Sequence, residues 1–215
     1  MVFGLVYYYF MTDILTLTDE ELLVEAKKLL VGYKQKSVIR YAGAREEGVH
    51  AESDAEHVFG LIYLAQYFLQ HESTGPALDA YKVMQILLFH DFPEIKYGDV
   101  VTFDKTESDQ KREFGAAAEV FNSLPEALAT LGKERWSEYE EQKTPEGRFC
   151  FALDKIEPLF ELMDPVAEKS MKRLKVTYEM HVAHKFFAAK EYPVLMRFVE
   201  VMSKDMLARD IFYKA

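Results

Sequence analysis

The sequence predicts an all-α protein, a compact helical bundle. Apolar residues recur at the spacing of one helix face through most of the 215 residues. No segment alternates in the period-two manner of a half-buried strand, and no internal repeat is present. A hydrophobic content of 49%, with 14% aromatics, supplies the core of one domain. That domain is expected to span 18–212, behind an N-terminal extension of 1–17.

The extension opens "MVFGLVYYYFM", too short to cross a bilayer and lacking the basic segment of a signal peptide. Met11 offers an alternative start, so residues 1–10 are expected to be dispensable. The first helix begins in "TDEELLVEAKKLLVGYKQK", where Thr18 precedes a turn rich in carboxylates that favour a helix N-terminus. The second, "ESDAEHVFGLIYLAQYFLQH", takes Ser53 or Asp54 as its cap. A third, "ALDAYKVMQILLFHD", follows Gly75-Pro76; Pro93 biases Phe92 out of helical geometry, so this helix ends or kinks near Asp91. After a polar loop, "SDQKREFGAAAEVFNSL" is amphipathic and closes at Pro125, while "KERWSEYEEQ" is charged and partly exposed. "PEGRFCFALDKIEPLFELM" is strongly apolar around Asp154. The C-terminal part, 166–212, holds one or two further helices broken near Pro193.

A formal net charge of −10 argues against general nucleic-acid binding, which needs a positive surface. A small anionic substrate then requires cations gathered locally around it. The single cysteine, Cys150, excludes an internal disulfide and suits a reducing compartment; it is expected to pack as a small apolar residue. The protein reads as cytoplasmic, with no membrane partner. There is no H-E-x-x-H, no phosphate-cradling G-x-x-x-x-G-K-[ST] and no Cys-x-x-Cys.

The chemistry concentrates in three helices. The run Ile86, Leu87, Leu88, Phe89 leads straight into His90-Asp91, with Glu94 and Asp99 close behind. His57 sits among Ala55, Val58 and Phe59, and Asp154 inside "FALDKIEPL". Imidazoles and carboxylates in such surroundings are costly unless paired, hydrogen-bonded or bound to a metal. Two of each, arriving from three helices, would satisfy one another around a single divalent cation. Taken singly, His57 also reads as a half-buried helix residue, and Asp154 as a partner of Lys155 or Arg148. His90-Asp91 is a common dipeptide, and its two side chains reach one ion only if that ion sits astride the helix end.

The order His…His-Asp…Asp on an all-α chain resembles the HD-domain metal-dependent phosphohydrolases. "ESDAEHV", "HDFPEIKYGDV" and "ALDKIEPL" are similar to the subgroup that contains the 5′-deoxynucleotidases, over about residues 22–165. The resemblance implies that His57, His90, Asp91 and Asp154 hold one divalent metal. It implies that Glu94 orients or deprotonates the attacking water, that Arg40 faces the substrate phosphate, and that Asp99 contacts the sugar hydroxyl. The substrate it implies is a small phosphate ester, a nucleoside 5′-monophosphate, and homodimerisation fits the family. Lys105, Lys111 and Arg112 in "DKTESDQKR" are additional cations, with Lys105 the candidate for substrate. Close relatives carry a tryptophan shortly after the arginine that helps exclude a ribose 2′-hydroxyl. Here the stretch reads "IRYAGAREEG", so deoxyribose selectivity is open, with Tyr41 the nearest aromatic.

A mixed nitrogen–oxygen ligand set suits Mn²⁺, Co²⁺, Fe²⁺, Ni²⁺ or Zn²⁺. The absence of a histidine between His90 and Asp154 favours one metal over two. His181 and His184 share a helix face but read as decoration of a tail helix, and His50 and His71 have no evident partners.

Overall fold

The computed structural model describes residues 14–41, 44–46, 48–72, 77–100, 106–164 and 167–214. Residues 1–10, the Gly75-Pro76 pair and Lys105, on which the sequence raised expectations, lie outside the described residues.

Helix α1 (Asp19–Leu29) starts at a reciprocal capping box in which the Glu21 carboxylate accepts from the Thr18 amide at 2.8 Å. It stops at Leu29 rather than continuing to Lys36, and a 3-10 turn, Gly32–Ser37, takes over at the helix-breaking glycine. Helix α2 (Asp54–His71) is capped by Ser53 with Glu56 reaching back, and buries Leu61, Ala65 and Phe68 on one face. Helix α3 (Ala80–Phe89) is capped by Asp79 and buries Val83, Ile86 and Leu87. It ends two residues before Asp91, and the chain turns through Pro93 into the single turn of α4 (Glu94–Tyr97).

Helices α5 (Glu107–Asn122) and α6 (Glu126–Glu141) meet at Pro125. The charged sequence of α6 still turns Trp136 and Tyr139 inward. Helix α7 (Pro145–Glu161) has Thr144 as its cap and Pro145 in its first turn, where a missing amide costs nothing. Then come α8 (Lys169–Arg173), α9 (Tyr178–Ala189) and α10 (Pro193–Ala208). The C-terminal part thus holds three helices rather than one or two. The extra one, α8, is too short to show an apolar period.

Helix α7 is the central rod, packed by α2, α3, α6, α9 and α10. Phe149, Leu153, Ile156 and Leu159 are fully buried along it, and Cys150 packs as a small apolar residue. At its start, a Cβ on Gly147 would lie 2.3 Å from the Glu138 carbonyl oxygen, so only glycine lets α6 and α7 touch there. A second aromatic cluster of Phe89, Phe92, Phe121 and Trp136 pins the turn after α3; Phe92 and Phe121 stack with centroids 6.0 Å apart. Helix α1 buries no residue, leaving Leu22, Leu23 and Leu29 exposed. Among the described residues, extended pairing is limited to one antiparallel bridge, Ile39 with Ser53. No helix among them is long and apolar enough to cross a membrane.

Candidate metal centre and adjoining cavity

The Ile39–Ser53 bridge sets one wall of the site. The Arg40 amide donates to the Glu52 carbonyl at 2.8 Å and the Asp54 amide to the Val38 carbonyl at 3.0 Å, which lays Arg40 beside the start of α2. His57 lies one turn into α2, His90 occupies the C-terminal cap of α3, Asp91 follows it, and Asp154 lies in the second half of α7. His57 and His90 have no solvent exposure, and Asp91 and Asp154 are buried.

The four side chains meet. His57 Nε2 lies 3.1 Å from Asp154 Oδ1 and 3.8 Å from Asp91 Oδ2. His90 Nε2 lies 2.9 Å from Asp91 Oδ2 and 3.8 Å from Asp154 Oδ1. His90 caps α3, and Asp91 lies in the turn beyond it, so the two consecutive side chains converge where the regular helix has stopped. The outer nitrogens are fixed as donors: His90 Nδ1 bonds the Leu87 carbonyl at 2.8 Å, and His57 Nδ1 faces Glu157 Oε2 at 3.0 Å. A carbonyl only accepts, so His90 carries its proton on Nδ1 and directs Nε2 at the carboxylates.

That arrangement is electrostatically that of a cation site. Burial opposes the charged form of His57, as does Arg40, yet Glu157 and Asp154 push its pKa up to about 9. Burial likewise opposes charging of His90, but Asp91 and Asp154 lift it to about 10. Asp91 and Asp154 are held well below the usual carboxylate range against the effect of burial, chiefly by His90 for the first and Lys155 for the second. Protons on two imidazoles therefore supply the positive charge that the two carboxylates need. His90 Nε2 approaches Asp91 without the alignment of a hydrogen bond and is left without a partner. The residues fit a divalent ion: neutral imidazole Nε2 atoms and carboxylate oxygens are its ordinary donors, with outer hydrogen bonds already orienting both rings.

Around this set the structure gathers residues that the sequence reasoning missed. Glu157 lies one helical turn beyond Asp154 and backs His57, a spacing that could have been read from "LDKIEP". Tyr139 donates its hydroxyl to Asp154 Oδ2; of the two partners the sequence offered for Asp154, Lys155 Nζ lies 2.7 Å from the same oxygen, whereas Arg148 pairs with Glu191. Glu52 and Asp54 come in through the backbone bridge, and burial followed by neighbouring carboxylates raises both to about 8. Asp54, Asp91 and Glu94 bring oxygens within 4.8 Å of one another. Glu94 is buried with Oε2 unpartnered, and burial, then Asp91, Asp54 and Asp99, push its carboxyl well above the usual range.

Arg40 is clamped by carboxylates: its guanidinium lies 3.0 Å from Asp91, 3.4 Å from Glu52 and 4.0 Å from Asp99. Gly98, at φ +84°, makes the turn that brings Asp99 to the Tyr41 amide, which donates to it at 3.1 Å. Tyr41 itself has φ 57°, uncommon for a non-glycine residue, and its ring lies against the guanidinium groups of Arg40 and Arg45. Arg40, Tyr41, Arg45, Asp99, Asp154 and Lys155 line a cavity completed by residues of α7, α8 and α9. Glu94 is not in its lining. Arg45 is held by Glu161 and Ser170.

The remaining histidines separate cleanly. His50 is exposed and pairs with Glu56 at 3.1 Å, and His71 packs against Tyr67. His181 is not surface decoration: it is fully buried in α9, with Nε2 2.8 Å from the Ser203 hydroxyl.

Known proteins share both sequence and fold. The chain is 26% identical over 157 residues to 5′-deoxynucleotidase HDDC2 of Xenopus laevis, covering 72% of this chain and 73% of that protein. It is 28% identical over 112 residues to the human protein of the same name, of which it spans about half (52%). A crystal structure from Magnetospirillum magnetotacticum, named as a predicted metal-dependent phosphohydrolase, superimposes with a TM-score of 0.76 at 24% identity, over 91% of this chain and 100% of that one. An HD-domain family model matches residues 33–194, well over half of the sequence, and the chain belongs to the HD-domain family, the phosphohydrolase family that its motifs resemble.

Proposed function

We propose that this HD-domain phosphohydrolase cleaves the phosphate monoester of nucleoside 5′-monophosphates, deoxy forms included, to nucleoside and phosphate. The observation that carries the reading is the convergence of His57, His90, Asp91 and Asp154 beside a cavity walled by Arg40, Arg45 and Lys155. The 5′-deoxynucleotidase names of the relatives support the same substrate class.

In this reading His57, His90, Asp91 and Asp154 hold one divalent cation. When bound, that ion supplies Lewis-acid charge for the phosphate and a more acidic water. Arg40 presents a planar fork to the phosphate oxygens, held in position by Glu52 and Asp91. Glu94, buried three residues beyond Asp91 with Oε2 unpartnered, takes the proton of the attacking water. Asp99 accepts from a sugar hydroxyl at the same wall, and Lys105 adds positive charge from outside the described residues. Tyr41, in the lining of the same cavity, is the aromatic candidate for packing on the sugar. Phosphate monoesters hydrolyse very slowly unaided, so alignment and charge must both contribute.

The test is phosphate release from a panel of deoxy- and ribonucleoside 5′-monophosphates by metal-stripped protein resupplied with Mn²⁺, Co²⁺ or Zn²⁺, beside Asp91→Ala. Metal-dependent release that disappears in the variant is expected, and the deoxy-to-ribo ratio reports sugar selectivity. No release from any monophosphate, with tripolyphosphate formed from a nucleoside triphosphate instead, would move the assignment to a triphosphohydrolase.

A further inference from the structure

Helix α9 carries a lysine in an unusual place. Its inward face is His181, Lys185, Ala188 and Ala189, so Lys185 occupies the centre of the stripe that packs on α7, not the solvent side. Lys185 is only 6% exposed and lines the same cavity as Arg40 and Asp154.

The other cations of that wall are already engaged. Arg40 is held by Asp91 at 3.0 Å, Arg45 by Glu161, and Lys155 by Asp154 at 2.7 Å. No hydrogen bond or ion pair reaches Lys185 among the described residues. A lysine this shielded with no ion-pair partner carries a desolvation cost, and a leucine or methionine would fill the same stripe without it. An anion entering the cavity would supply the missing partner and hold the ammonium form.

We propose that Lys185 is a phosphate-binding residue: its ammonium group donates to a non-bridging oxygen of the phosphate in this cavity. The inference rests on the phosphohydrolase reading of the site. It gives the C-terminal helices a part in substrate recognition, bringing a donor from α9 to a centre otherwise assembled from α2, α3 and α7. Unlike the clamped Arg40, Lys185 has its three donors uncommitted, so its contribution appears mainly on anion binding.

Inorganic phosphate is the probe. Its dissociation constant is measured by titration calorimetry on the metal-loaded full chain for wild type, Lys185→Met and Lys185→Arg. Methionine keeps the stem's packing, and the variant is expected to bind phosphate roughly tenfold to a hundredfold more weakly, with arginine restoring most of the affinity. Unchanged affinity in Lys185→Met overturns the inference. A second measurement needs no variant: phosphate should protect Lys185 of the metal-stripped wild type from an amine-acylating reagent, followed by peptide mass spectrometry. Equal labelling at saturating phosphate overturns it as well. Nucleotide turnover that does not depend on Lys185 removes this inference alone. Phosphate binding that depends on Lys185, in a protein that hydrolyses no nucleotide, supports it and removes the nucleotidase reading instead.

Discussion

His57, His90 and His181 are all completely shielded from solvent, yet their surroundings drive them in opposite directions. The first two face Asp91, just past α3, and the carboxylates of α7, and are lifted to about 9 and about 10. His181 faces the Ser203 hydroxyl, and burial followed by Lys185 pushes it down to about 3. Burial alone favours the neutral ring in every case. What separates the two regions is the partner each ring meets: around His57 and His90 stand the carboxylates of Glu52, Asp91, Asp154 and Glu157, and beside His181 stands a hydroxyl. A histidine satisfied by a hydroxyl holds a fold together. Histidines set among converging carboxylates offer the donor set of a metal ion.

The comparison can be broken most forcefully at Asp154. Asp154→Asn keeps the shape and removes the charge shared by both imidazoles. Metal uptake and phosphate release should fall to background, and the metal-free protein should lose roughly 3–5 kcal/mol in chemical denaturation as a buried charge pair is broken. Wild-type metal content in this variant would end the distinction between the two regions.

Glu94→Gln sharpens it by separating binding from chemistry. Turnover should drop by roughly 10²- to 10⁴-fold, the usual contribution of a general base, while metal content stays at the wild-type level. A parallel loss of metal would place Glu94 among the ligands instead.

A smaller effect is expected behind His57. Glu157→Gln still accepts the Nδ1 hydrogen bond but lacks the charge, and metal affinity measured by competition with a chelator should weaken by roughly 10- to 100-fold. An unchanged affinity would make Glu157 a packing partner only.

An effect that appears only in acid falls on the contrasting region. The folded protein keeps His181 neutral while the unfolded chain takes up a proton near pH 6.5, so this contribution is complete above pH 6.5 and is lost as pH falls towards 3. Wild-type stability should decline relative to His181→Gln by up to about 1.4 kcal/mol per pH unit in that window, as read from urea unfolding at stepped pH. Parallel pH profiles for the two proteins would show that His181 titrates normally.

Local signals in the sequence were faithful where the cause was local. Thr18 and Ser53 cap α1 and α2 because a hydroxyl and a glutamate three residues on are all that a capping box needs. The end of α3 beside Asp91 was readable from Pro93. The His57, His90-Asp91 and Asp154 constellation was visible as polar residues in apolar helices, and the chain does bring them together. Glu52 and Asp54 were not legible, since they reach the site through a bridge between residues 39 and 53 that leaves no periodic trace. Lys185 was hidden for a different reason: in "HVAHKFF" a lysine looks like the polar face of a helix, and only the packing of α9 on α7 turns it inward. The leucines of α1 show the opposite case, being apolar yet exposed.

The central claim is that the carboxylate-rich histidine pair binds a divalent ion and the hydroxyl-paired histidine does not. It is tested most directly by metal content. The full chain is stripped with chelator, re-equilibrated with Mn²⁺, Co²⁺ or Zn²⁺, and assayed by elemental analysis beside Asp154→Asn and His181→Gln. A single ion per chain in the wild type and His181→Gln, with none in Asp154→Asn, is the predicted result. No stoichiometric ion in the wild type, or an equal amount in Asp154→Asn, would contradict it.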